Sequence, residues 1–244
     1  MCFDLDSAPP IPAISGAAVS HDDLELTSAD GNRFAAFAAA PEEGGGMGIV
    51  ILPDVRGLYR FYEELALRFA ERSYTAIAFD YFGRTAGSAK RDEDFDHKPH
   101  VEAATPEGVR LDVAAAVEWL LAQGVTSVAT VGFCMGGRYS WLAAADGHGL
   151  AGAVGFYGRP ADAAARAREM DAPILALQAG ADRNITAEDN AAFERALTEA
   201  GVEHELVVYE GAPHSFFDRK QEEFAEASDD AWRRVLDFLE RVRA

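Results

Sequence analysis

Three residues of this chain, Cys134, Asp182 and His214, have the types, order and surroundings that nucleophilic catalysis requires. Cys134 is the centre of Gly132-Phe133-Cys134-Met135-Gly136-Gly137, which follows an apolar run over 125–131 and precedes a pattern that reads as helix over 138–145. A strand, a glycine-flanked tight turn and a helix make up a nucleophile elbow, here with Cys where Ser more often sits. Such a turn strains the backbone of its central residue and leaves no room for a Cβ at the flanking glycines. It holds the thiol clear of the sheet at the start of a helix, where unpaired N–H groups and the positive dipole end favour the thiolate. The competing structural reading is a small buried Cys that merely packs.

A thiol nucleophile needs a base within reach and a third group to orient that base. In open α/β sheets such groups gather beyond the carboxyl ends of the strands. The chain has six histidines. His21 lies in the N-terminal region, and His97 and His100 fall in a polar stretch. His148 and His204 sit at the opposite ends of their elements. His214 remains, in Glu210-Gly211-Ala212-Pro213-His214-Ser215-Phe216, directly after the last apolar run. Asp182, in Gly180-Ala181-Asp182-Arg183, follows the preceding run, 48 residues after Cys134 and 32 before His214. That is the chain order nucleophile, acid, His. Asp182 would fix the imidazole tautomer so that the other ring nitrogen faces the sulfur, although an Asp there also suits an ordinary turn. The two oxyanion donors are expected to be the amides of Met135 and of Val55, the latter in loop 53–58 after the first buried strand.

The elements that must position these residues are legible from periodicity. Segments 24–27 and 33–38 flank Asp30-Gly31-Asn32 and read as a hairpin. The continuously apolar run at 48–52 reads as a fully buried strand, 150–156 and 173–178 as two further buried strands, and 74–79, 125–131 and 205–209 as the other strands. Helical spacing appears at 60–72, 107–123, 187–200 and 228–242, with Thr105-Pro106 opening the second of these and Gly201 closing the third. This β-α alternation predicts an α/β fold, a mostly parallel, doubly wound sheet with helices on both faces. Residues 1–20 read as a loose N-terminal leader and 21–244 as one domain. The polar stretch 85–105 reads as a solvated surface loop over the site rather than as a metal centre.

The formal net charge of -19 argues against a nucleic-acid partner, since phosphates need a basic face. The two cysteines, Cys2 and Cys134, support neither a structural disulfide nor a Cys-based zinc site. The N-terminus lacks the basic and apolar regions of a signal peptide. No run approaches the ~18 apolar residues that span a bilayer. The expectation is a cytoplasmic enzyme with no metal or membrane partner, a monomer or small homo-oligomer acting on a small molecule.

From about residue 22 onward the chain resembles the dienelactone hydrolase family of the α/β-hydrolases. The resemblance is carried by the Cys134 elbow, Gly180-Ala181-Asp182 and Gly211-Ala212-Pro213-His214-Ser215-Phe216, with support from Phe79-Asp80-Tyr81-Phe82-Gly83-Arg84 and Gly155-Phe156-Tyr157-Gly158. It implies an α/β-hydrolase fold and cofactor-free hydrolysis of lactones or esters by a triad of Cys134, His214 and Asp182. Where the family often has a Glu that modulates the resting thiol, this chain has Asp54. Where lactone-specific members carry an Arg four places after the His, it has Asp218, followed by Arg219. Arg84 matches the family's other carboxylate-binding Arg, and Arg56 offers a replacement charge. Tyr157, Ser215 and Phe216 complete the expected substrate-contacting set, with Tyr81, Phe82 and Phe217 as further candidate walls. A thiolate leaves a tetrahedral intermediate more readily than an alkoxide does, which favours activated esters, enol esters, lactones or thioesters over peptides. The alternative is a binding or thiol redox-sensing protein on a hydrolase scaffold.

Overall fold

The computed structural model describes residues 4, 6–17, 19–44, 46–91 and 94–243. Cys2 lies outside them. In chain order the strands are β1 (Val19–Thr27), β2 (Arg33–Pro41), β3 (Met47–Leu52), β4 (Tyr74–Phe79), β5 (Ser127–Phe133), β6 (Gly152–Phe156), β7 (Ile174–Ala179) and β8 (His204–Tyr209). They form one sheet in the order β1-β2-β4-β3-β5-β6-β7-β8. The β1–β2 hairpin pairs antiparallel, and β2 meets β4 antiparallel, while every pairing from β4 to β8 is parallel.

Every residue of β3, β4, β6 and β7 is buried. That is why these strands are continuously apolar: helices cover both of their faces. One apolar layer contains α1 (Arg60–Ala70) and α8 (Ala225–Val242). The other contains α4 (Pro106–Ala122), α5 (Met135–Ala143) and α7 (Ala187–Ala200). Phe61, Leu65 and Phe69 face inward from α1 at four-residue spacing, and Val109, Val113, Ala116, Val117 and Leu120 do so from α4. Thr105 caps α4 by accepting the Gly108 N–H at 3.1 Å, with Pro106 in the first turn. Thr186 and Asp189 form a reciprocal capping box on α7, which ends at Gly201 in the left-handed conformation.

Two sequence expectations need correction. Within the leader expected to be loose, Ser7, Ala8 and Ile11 are buried. The Ala8 carbonyl accepts the Arg219 N–H at 3.1 Å, tying this segment to the chain after His214. The segment's apolar residues carry no helical or strand period, so its docking leaves no pattern to read. The polar stretch 85–105 also contains structure. It starts from α2 (Gly83–Ala86) and folds into α3 (Lys98–Ala103). Phe95 stacks on His100 with centroids 4.9 Å apart, and both rings lie against Phe82. The remaining helix, α6 (Ala161–Ala165), is the small Ala-rich element expected between β6 and β7.

Candidate active site

The end of β5 delivers Cys134 directly onto the first turn of α5. Its φ is 55° and ψ −112°, outside the comfortable range of an L-residue. The turn is fixed by its own backbone: the Cys134 N–H donates to Phe156 O at 3.0 Å and the Arg138 N–H to Cys134 O at 3.2 Å. A Cβ on Gly132 would stand 2.0 Å from the Gly136 carbonyl oxygen, and one on Gly136 would stand 2.0 Å from that of Leu52. Both obstacles are backbone and cannot swing aside. Gly136→Ala is therefore expected to cost more than ~3 kcal/mol, at or above the usual overpacking range. Urea unfolding would read this; a loss below ~1 kcal/mol would show the elbow to be far more compliant than its contacts indicate. Trp141 anchors the same helix, its indole N–H donating to Leu175 O at 3.2 Å.

Beyond the carboxyl ends of β7 and β8, two short loops are stitched together. The Gly180 N–H donates to Tyr209 O at 2.8 Å and the Ala181 N–H to Ala212 O at 2.9 Å. They present Asp182 to His214, with Nδ1 and Oδ2 2.5 Å apart. The Asp182 side chain is 1% exposed and that of His214 14%. The other Asp182 oxygen accepts the Asn184 N–H at 2.8 Å, so the carboxylate is held at both ends. The Tyr157 ring packs 4.9 Å from the imidazole. Tyr157 and Ser215, like Cys134, have positive φ, so three strained residues collect in one region.

A cavity of about 820 Å³ brings Cys134, His214, Met135, Val55 and Tyr157 into one lining, with Asp182 behind His214. Val55 arrives on the loop after β3, which is tied down at several points. The Arg56 N–H donates to Asp54 Oδ1 at 2.8 Å, the Asp54 N–H to Tyr62 Oη at 2.8 Å, and Tyr81 Oη to Pro53 O at 2.8 Å. Asp80 reinforces it from below, accepting the N–H groups of Leu58 and Phe82 and the guanidinium of Arg91. Burial still pushes the Asp80 carboxyl above the usual carboxylate range, against the pull of Arg91. Asp54 is itself buried under this loop and accepts the Tyr59 hydroxyl at 3.3 Å.

Several expected substrate contacts lie elsewhere. Arg84 gives one arm to Asp112, at 2.5 Å, and the rest of its guanidinium to Asp30. Asp112 is fully buried and also accepts from Ser28 and Asn32, so Arg84 locks the β1–β2 turn to α4 rather than facing the thiol. Arg84→Gln is expected to lower stability by ~2 kcal/mol, since it strips the charge partner from a buried carboxylate. In chemical denaturation it should move the midpoint; KM for a carboxylate-bearing ester should hold, and a tenfold rise in that KM would put Arg84 back at the site. Arg56 lines a separate hollow with Arg60, Lys90 and Arg91. Phe216, Phe217 and Phe82 are buried in the core. Ser215 is buried beside the outer edge of the Asp182–His214 pair.

Other lining residues were not singled out from the sequence. Arg138 and Tyr139 lie one turn past the thiol on α5, and Arg159 lies just beyond β6. Helical spacing from Cys134 and position after a strand end were the signals for them. Val101 and Ala104 come from the polar stretch, where two small apolar residues gave little to see. Among the described residues no group of His, Cys, Asp and Glu is placed to hold a metal ion.

A sequence model of the dienelactone hydrolase family matches residues 34–243. The chain belongs to the dienelactone hydrolase family. A carboxymethylenebutenolidase of Rhodococcus opacus is 28% identical over 260 residues, covering 99% of this chain and 97% of that protein. A dienelactone hydrolase-like promiscuous phosphotriesterase from metagenomic libraries superposes with a TM-score of 0.77 at 23% identity, covering 92% of this chain and 99% of that one. The Pyrococcus furiosus esterase Pf2001 superposes at 0.69 with 17% identity, covering 94% and 98%. The two structural likenesses bear on the fold alone, which is the α/β-hydrolase fold. Among the described residues of this family member, no helix is long and apolar enough to cross a membrane.

Proposed function

We propose that this dienelactone hydrolase-like hydrolase cleaves lactones or activated esters through a thioester on Cys134. The observation that carries the reading is that the elbow thiol and the Asp182-bound His214 line one cavity. With Nδ1–H directed to Asp182, the Nε2 of His214 is left to take the thiol proton. Sulfur attacks the carbonyl carbon, and the resulting oxyanion is met by the amides of Met135 and Val55. Collapse breaks the bond to the leaving oxygen, which receives the proton from His214. Water then gives a proton to His214 as it attacks the thioester, and the second collapse expels the thiolate and releases the acid.

Because sulfur is the easier group to expel, the first collapse goes forward only when the substrate's own leaving group is good. Enol lactones and aryl esters meet that condition, and amides do not. The position of Cys134 at the N-terminus of α5 supports the thiolate. A cytoplasmic setting suits a catalytic free thiol.

The test is turnover of p-nitrophenyl acetate and an enol lactone by the intact protein, together with alkylation by iodoacetamide. Turnover on at least one, with substrate slowing alkylation of Cys134, is the expected result. If neither is hydrolysed while alkylation proceeds unprotected, the hydrolytic reading gives way to a binding or thiol-sensing role.

A further inference from the structure

One face of α5 lines hollow space from the thiol onward. Met135, Arg138, Tyr139, Leu142 and Ala143 recur at three- and four-residue intervals, which places them in one stripe. The first part of the stripe belongs to the cavity that holds Cys134 and His214. The second part belongs to another hollow, of about 390 Å³, between α4, α5 and α6. Arg138, Tyr139 and Asp162 line both, so the two hollows adjoin at these residues. From Cys134 to Leu142 is eight residues, or ~12 Å along a helix axis.

The second chamber has an apolar floor and a cancelled rim. Val109 and Val113 of α4 face Leu142 and Ala143 of α5 across it. Three arginines and three carboxylates surround them, and each arginine is already paired: Arg138 with Asp162 at 2.5 Å, Arg166 with Asp146 at 2.6 Å, and Arg110 with Glu107 at 2.6 Å. A neutral apolar occupant gains the floor and leaves these pairs intact.

Direction follows from the chemistry. The leaving group must lie beside His214 to be protonated, on the side lined by Asn184 and Ile185. The acyl arm is then the part of the substrate that points along α5. We propose that the chamber between α4, α5 and α6 takes this arm, and that the preferred substrates are esters or lactones with a neutral, elongated alkyl or arylalkyl acyl group. The inference rests on the thioester reading for the orientation of the substrate, but the chamber can be probed without turnover.

Two measurements test it. The first is kcat/KM for p-nitrophenyl acetate, butyrate, hexanoate and octanoate on wild type, Leu142→Trp and Leu142→Ala. A fully buried methylene is worth about fourfold, so octanoate should exceed acetate by at least ~10-fold after imperfect burial. Leu142→Trp should cut that ratio at least ~5-fold by filling the floor, and Leu142→Ala should change it in the same direction but by less, through the lost contact. The second is calorimetric binding of butanamide and octanamide, which are not turned over; octanamide should bind at least ~10-fold more tightly, and less so in Leu142→Trp. A flat acyl profile in active enzyme, or equal binding of the two amides, overturns the chamber assignment. Length-dependent amide binding with no ester turnover would uphold the chamber and refute the thioester reading.

Discussion

Cys134→Ala is expected to lower kcat/KM for p-nitrophenyl acetate at least ~10³-fold, since removing a nucleophile ordinarily costs several orders of magnitude while binding and oxyanion contacts leave a residue over water. The loss should fall on kcat, because the cavity walls that hold the substrate are untouched. Stability should change little. The positive φ of residue 134 is imposed by the Phe156 and Arg138 hydrogen bonds and by glycine packing, none of which uses the sulfur. Cys134→Ser is the more informative companion. It keeps a nucleophile-sized group, but a hydroxyl is far harder to deprotonate than a thiol, so His214 would have to act as a stronger base than the thiol requires. Its activity should sit near that of the alanine variant. Mass spectrometry on wild type quenched during turnover of a slow ester should show one acyl group on the Cys134 peptide. An alanine variant that keeps a tenth of wild-type activity would remove Cys134 from the mechanism.

The difference between what was and was not legible in the sequence has a physical basis. The central strands could be read because both faces are covered, which makes them continuously apolar, and the helices because α1 and α4 bury a single stripe. The catalytic candidates could be read because each sits just past a strand in a short loop, where local sequence fixes local geometry. The fate of Arg84 could not. Its guanidinium is claimed by Asp112, 28 residues away, and Asp30, 54 away, and nothing in the local pattern distinguishes an Arg that faces a substrate from one that clamps a hairpin. The segment at Ser7–Ile11 and the lining residues Val101 and Ala104 were hidden for the same reason. None of them belongs to an apolar period, and what each packs against lies outside its local sequence pattern. Arg138 lay between these cases, since spacing from Cys134 pointed to it while its pairing with Asp162 depends on where α6 packs.

Asp182→Asn should be nearly as damaging as loss of the thiol, and for a reason that can be followed atom by atom. Oδ1 of Asp182 accepts the Asn184 N–H at 2.8 Å, and Oδ2 meets His214 Nδ1 at 2.5 Å. In an asparagine, only the carbonyl oxygen can accept the Asn184 amide, so the NH₂ group must occupy the place of Oδ2. There it donates to Nδ1 and forces the imidazole proton onto Nε2. The nitrogen that should take the thiol proton is then already protonated. The analogous change in a serine triad costs about 10⁴ in kcat with the geometry intact. A thiol is easier to ionise, so a loss of ~10²–10⁴ in kcat is expected here, with KM within a few-fold. The imidazole ¹⁵N shifts should report the switched tautomer, and alkylation of Cys134 should slow in parallel. Because the Asn184 bond is kept, thermal stability should fall far less than activity. Wild-type kcat with the Nε2–H tautomer present would mean that His214 is not the base, and the proposed triad would have to be abandoned even if Cys134 proved essential.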